Sequence, residues 1–86
     1  MVPLQISPPL SETIEQLREA IQSAIPNTEV EITGSGAHFE IRVVSPSFEG
    51  KSTLAKQRLV YSAIAYLMAG ENPPVHAVDR LETLVP

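Results

Sequence analysis

Ala37-His38-Phe39-Glu40-Ile41-Arg42-Val43-Val44-Ser45-Pro46-Ser47-Phe48-Glu49-Gly50-Lys51-Ser52 is the stretch from which the fold follows. Phe39, Ile41 and Val43 alternate with His38, Glu40 and Arg42, the two-residue period of a strand with one buried face. Pro46 lacks a backbone donor and ends that strand. Phe48 then covers the core as the chain turns at Gly50. From Ser52 or Thr53 to about Ala69, the apolar positions Leu54, Val60, Ala63, Ile64 and Leu67 recur at helical spacing. Lys51, Lys56 and Arg58 fall early and off that stripe, and Gly70 marks the helix end.

Upstream, Thr28 to Thr33 alternates with Val30 and Ile32 on one side and Glu29 and Glu31 on the other. Gly34-Ser35-Gly36 tolerates positive φ, so a hairpin joins this strand to the one opening at His38. Ser11 suits an N-cap, and Leu10, Ile14, Leu17, Ile21 and Ala24 form the stripe of an amphipathic helix that Pro26 stops. Glu12 and Glu15 sit in its first turn, where the helix dipole favours negative charge. Residues 1–9, with prolines at 3, 8 and 9, read as an extended arm ahead of a single domain over residues 10–86. Downstream, Asn72-Pro73-Pro74 is a stiff connector, and Val75 to Val85 is apolar enough for a final strand. Asp79-Arg80 interrupts its period, which predicts a bulge or early fraying there.

The order is helix, strand, strand, helix, strand, with a short turn of helix around residues 47–48. This is an α+β domain with a three-stranded mixed sheet and helices on one face. A strand–helix–strand crossover within one sheet is nearly always parallel and right-handed, so the last strand runs parallel to the second. His38 and His76, each opening a strand, therefore come to the same end of the sheet.

The 86 residues form one small domain, and a chain of this size buries only about 60–65% of the surface its unfolded form exposes, leaving little room for a deep enzyme cleft. Ten acidic against six basic side chains give a net charge of −4, which argues against wholesale capture by nucleic acid or anionic lipid. The distribution is uneven. Residues 12–40 hold six glutamates against Arg18, whereas residues 42–58 hold Arg42, Lys51, Lys56 and Arg58 against Glu49. With no cysteine, the chain has no disulfide and no thiolate, so a bound metal needs histidine, carboxylate or a partner's ligands. No apolar run approaches the ~20 residues of a membrane span, and the first ten residues lack the marks of an export signal. A soluble cytoplasmic protein is the expectation.

Catalytic machinery is missing. Gly50-Lys51-Ser52 invites comparison with a P-loop, but Ser45 stands where the first glycine belongs, and Pro46 removes an N–H that a phosphate cradle needs. No Ser-His-Asp set is visible, and Glu29 and Glu31 leave the hairpin without an acid–base partner. Tyr61 and Tyr66 read as core-edge packing on the long helix. As a bare residue at a strand start, His76 is more often a surface or structurally bonded histidine than a ligand. His38 reads as a half-exposed strand residue opposite Phe39 and Ile41.

Taken together, His38-Phe39, the valine-rich strand, Phe48-Glu49-Gly50, the basic helix and His76-Ala77-Val78 resemble the signature of the BolA family across residues 37–86. The resemblance implies a fold similar to the second topological class of KH domains. It implies an adaptor, not an enzyme, whose partner is a monothiol glutaredoxin. The histidine of the His-Ala-hydrophobic triplet, here His76, is then a ligand to a [2Fe–2S] cluster shared with the glutaredoxin and its glutathione, with none bound by the chain alone. Imidazole in place of thiolate raises a cluster's potential and lability. Many relatives carry a second Cys or His in the hairpin loop, but Gly34-Ser35-Gly36 has neither. Either His38 substitutes, or the partner or solvent completes the shell, or docking occurs without a durable cluster. Many relatives also carry an Arg-His pair in the helix where this chain has Gln57-Arg58. The alternative function is a nucleic-acid-binding transcriptional regulator, with DNA held by Arg42, Lys51, Lys56 and Arg58, although the Gly-x-x-Gly clamp of KH modules is reduced to Gly50; the same four residues otherwise dock an acidic surface of a protein partner or form a solvated face. Without a partner the chain is expected to be a monomer or weak homodimer.

Overall fold

The structure is a computed structural model that describes residues 9–86. The arm expected over residues 1–9 lies almost wholly outside the described residues. The elements are α1 (Leu10–Ala24), β1 (Glu29–Ser35), β2 (His38–Val44), a 3-10 turn (Pro46–Phe48), α2 (Thr53–Met68) and β3 (Ala77–Leu84). The sheet order is β1-β2-β3, with β1 antiparallel and β3 parallel to β2. This is the α+β arrangement expected from the order of elements.

One sheet face is apolar. Val30, Phe39, Ile41 and Val43 bury there against Leu17 and Ile21 from α1, Ile25 just after it, and Val60, Ile64 and Leu67 from α2, with Phe48 and Val75 closing the cluster. Phe48 is fully buried, as its place after the strand suggested. Ser45 is buried too, and its hydroxyl donates to the Pro26 carbonyl at 2.9 Å while accepting from Ser47 N–H at 3.1 Å. That one side chain ties the end of β2 to the α1–β1 connection.

Several expectations shift. Helix α1 begins at Leu10, with Pro9 at the cap position in place of Ser11, because the Pro9 carbonyl accepts from the N–H groups of Glu12 and Thr13 at 3.0 and 3.2 Å. The hairpin loop is Gly36-Ala37, not Gly34-Ser35-Gly36. Ser35 pairs with His38 and Gly34 with Phe39, so both belong to β1, and only Gly36, at φ +61°, takes the left-handed backbone of a two-residue loop. Strand β3 starts at Ala77 and not Val75, because Val75 is a fully buried plug whose N–H donates to the Leu67 carbonyl at 3.2 Å. Helix α2 opens as expected at Ser52, whose hydroxyl accepts from Ala55 N–H at 3.1 Å. Leu54, however, is 56% exposed. At ~100° per residue it lies about 120° around the helix from Val60, outside the stripe that Val60, Ile64 and Leu67 define. Tyr66 is 65% exposed and is not packing at the core edge.

Candidate functional site

Parallel pairing does bring the two histidines to one end of the sheet. His38 opens β2 and pairs with Ala77, the first residue of β3, so His76 stands immediately before that strand. Its position is held by the backbone: the N–H groups of His76 and Ala77 both donate to the Ala37 carbonyl, at 2.8 and 3.3 Å, and the preceding Val75 is anchored in the core. The side chain of His76 is exposed. Among the described residues no hydrogen bond engages its ring, whereas the His38 ring has a partner. A rigid backbone thus presents an imidazole whose nitrogens are accessible from outside.

His38 is held differently. Its Nδ1 lies 3.1 Å from Asp79 Oδ1, in a pair more than half exposed on both sides. Asp79 reaches it because the register of β3 slips: Phe39 pairs with Val78 but Glu40 with Arg80, leaving Asp79 as the extra residue of a bulge. A carboxylate oxygen accepts, so the ring donates from Nδ1 and leaves Nε2 free. A carboxylate on the far nitrogen is the device that orients imidazoles in metal sites. Being exposed, the pair contributes little to stability, at most about 1 kcal/mol. No sequence motif singles out Asp79 as a site residue. The signal was there in the interruption at Asp79-Arg80, which predicted the bulge without showing which side chain the bulge would aim, or where.

Beside this pair lies a shallow cleft of about 300 Å³ lined by Thr33, Ser35, His38, Glu40 and Asp79. Among the described residues no three His, Cys, Asp or Glu side chains come together as a metal site. A metal held at this end of the sheet would therefore need ligands from another molecule beside those that His76 and His38 could offer.

The basic residues do not form one face. Arg42 projects from β2 between buried Ile41 and Val43, onto the sheet surface away from the helices, where its Nη1 is 3.7 Å from Glu31 Oε2. Lys51 and Arg58 instead border a cleft of about 330 Å³ on α2 with Leu54 and Leu59, and Lys56 lies half-buried in the first turn. The open sheet surface carries Glu29, Glu31, Glu40 and Glu82 against Arg42 and Arg80. Lys51 follows the C-terminal end of β2, while His76 sits by its N-terminal end. Between them runs the 16-residue α2, about 24 Å long. The two chemistries singled out from sequence occupy opposite ends of the molecule.

Residues 12–85 match the family model described as BolA-like protein. The chain belongs to the BolA family. It is 40% identical over 65 residues to an uncharacterized protein in the rpoN-murA intergenic region of Acinetobacter guillouiae, covering 74% of this chain and 75% of that one. It is 30% identical over 64 residues to the acid stress protein IbaG of Escherichia coli strain K12, covering 74% of each. BolA-like protein 1 of Homo sapiens is 40% identical over 67 residues, which cover 78% of this chain but 42% of the human protein. This BolA-family chain thus spans less than half the length of that relative. Among solved structures, a bolA protein homologue from Coxiella burnetii superposes with a TM-score of 0.68 at 34% identity, covering 81% of this chain and 86% of that one. In this BolA domain, the His-Phe pair and the His-Ala-Val triplet, far apart in sequence, become neighbours through the β2–β3 pairing.

Proposed function

We propose that this BolA-family chain is an adaptor that docks on a monothiol glutaredoxin and contributes His76 to a [2Fe–2S] cluster held between the two proteins. It takes part in cluster transfer or iron signalling in the cytoplasm and carries out no catalysis of its own. The observation that supports this reading is the state of His76: a fixed backbone, an exposed imidazole, and a chain without cysteine whose described residues offer no complete metal shell. Such a residue has value as one ligand of a site that another molecule finishes. His38, oriented by Asp79, is the second nitrogen available at the same end of the sheet. A cluster with imidazole ligation is more labile than an all-thiolate one, which suits donation. The protein's own part is positional: Val75 and the Ala37 carbonyl hold residue 76 at the sheet rim, so docking need not order a loop.

The nucleic-acid reading draws less support. The open sheet surface is predominantly acidic, and Arg42 is engaged there by Glu31, leaving Lys51, Lys56 and Arg58 without it.

Anaerobic reconstitution of the chain with a monothiol glutaredoxin, glutathione, iron and sulfide tests the proposal. The mixture should give visible absorption and circular dichroism distinct from those of the glutaredoxin homodimer. An unchanged spectrum and heterodimer for His76→Ala would show the ligand assignment to be wrong.

A further inference from the structure

The sheet has two edges, and the described residues cover only one of them. Along β1, α1 reaches over the backbone: Arg18 Nη1 donates to the Val30 carbonyl at 3.0 Å, and Gln22 Nε2 donates to the Thr28 carbonyl at 3.3 Å. Glu29 and Glu31 add like charge to that strand. A second strand approaching β1 would meet satisfied carbonyls and repulsion, two of the ways by which edges are protected. Among the described residues nothing equivalent covers β3, which is hydrogen-bonded only to β2.

The geometry of that free edge selects a partner. Ser45 N–H donates to the Leu84 carbonyl at 3.0 Å, so the main-chain groups of Leu84, Glu82 and Arg80 turn toward β2. By the alternation of a parallel ladder those of Leu81 and Thr83 turn outward. Antiparallel self-pairing about the middle of the strand can place its two-fold axis at Leu81, at Glu82, at Thr83 or at Arg80, the last of which sets two arginines opposite each other. An axis at Glu82 sets two glutamates opposite each other. An axis at Thr83 sets Glu82 opposite Leu84. An axis at Leu81 sets Arg80 opposite Glu82 of the other copy, twice, on the same surface where Arg80 Nη2 and Glu82 Oε1 already lie 3.0 Å apart within one chain. Opposite charges facing across strands stabilise pairing and like charges oppose it.

We propose that the outer edge of β3 pairs antiparallel with β3 of a second copy about an axis through Leu81, joining the two sheets into one. This inference does not depend on the proposed cluster function. It rests on one protected edge, one edge that no described residue covers, and the charge register of Arg80 and Glu82.

Sedimentation over a wide concentration range should show a reversible monomer–dimer equilibrium for the native chain. Arg80→Glu, which turns both cross-strand pairs into like-charge pairs, should weaken the dimer about tenfold, and the swap Arg80→Glu with Glu82→Arg should restore it. Because the chain has no cysteine, register can be read directly. Residues facing each other without mutual hydrogen bonds have Cα atoms about 4.5 Å apart, within disulfide reach. An oxidised mixture of Arg80→Cys and Glu82→Cys chains should therefore cross-link several-fold more than either chain alone. A native chain that stays monomeric, a charge swap that fails to restore the dimer, or equal cross-linking of mixed and single variants would each overturn the proposal. Circular dichroism of each variant confirms that it is folded.

Discussion

Gly34→Ala tests how the hairpin beneath His38 is packed. Gly34 pairs with Phe39, and the ring of Phe39 occupies the space where a side chain at 34 would stand. A Cβ added there would lie 2.6 Å from Phe39 Cδ1, 2.8 Å from Cε1 and 3.1 Å from the His38 carbonyl oxygen. Carbon atoms rest at about 3.5–4.0 Å, so the overlap is roughly 1 Å. Phe39 is 1% exposed, and its ring cannot withdraw without disturbing neighbours in a close-packed interior. Overpacking of this kind costs about 1–3 kcal/mol. Replacing a strand glycine by alanine returns about 0.5–1 kcal/mol through the backbone, which leaves a net loss of up to about 2.5 kcal/mol, centred on about 1–1.5 kcal/mol. For a domain of this size that lowers Tm by about 5–15 °C.

Thermal and urea unfolding followed by circular dichroism measures that loss. Gly36→Ala is the companion variant: no atom lies within 4 Å of its added Cβ, but φ is +61°, so its cost of about 1–2 kcal/mol is conformational. Phe39→Leu should relieve the Gly34→Ala penalty and leave the Gly36→Ala penalty intact, giving coupling in the first double-mutant cycle alone. Wild-type stability for Gly34→Ala, or additivity with Phe39→Leu, would refute the packing argument.

Asp79→Ala should move the His38 ring from the Nδ1–H tautomer toward Nε2–H, read from the ring nitrogen shifts by NMR, while thermal unfolding changes little because the pair is exposed. Ser45→Ala removes a buried hydroxyl with two hydrogen bonds and should cost about 1–3 kcal/mol in urea unfolding. Leu54→Lys, at a position more than half exposed, should leave stability within about 0.5 kcal/mol; a large loss would mean that α2 is rotated from the orientation described. His76→Ala should preserve the fold, with unchanged far-ultraviolet circular dichroism, while abolishing the heterodimer's visible spectrum.

The order of elements, the parallel crossover and the meeting of His38 and His76 at one sheet end follow from the sequence alone. Alternation in residues 28–33 and 38–44, helical spacing after Ser52 and the length of the crossover are local or chain-topological properties, and little competes with them. Even the bulge at Asp79 announces itself as a break in period. Tertiary structure decides the rest, because facing and pairing depend on what lies opposite. Gly34 and Ser35 belong to β1 because Phe39 fills the place of the missing side chain. Leu54 is exposed because the core selects the angular stripe of α2 through Val60, Ile64 and Leu67. Arg42 is separated from Lys51, Lys56 and Arg58 because the sheet lies between its side chain and the helices. The contact of Asp79 with His38 arises only when β3 is laid beside β2 with one residue to spare. A period along the chain says which residues share a face, and only the neighbouring strand or helix says what that face meets.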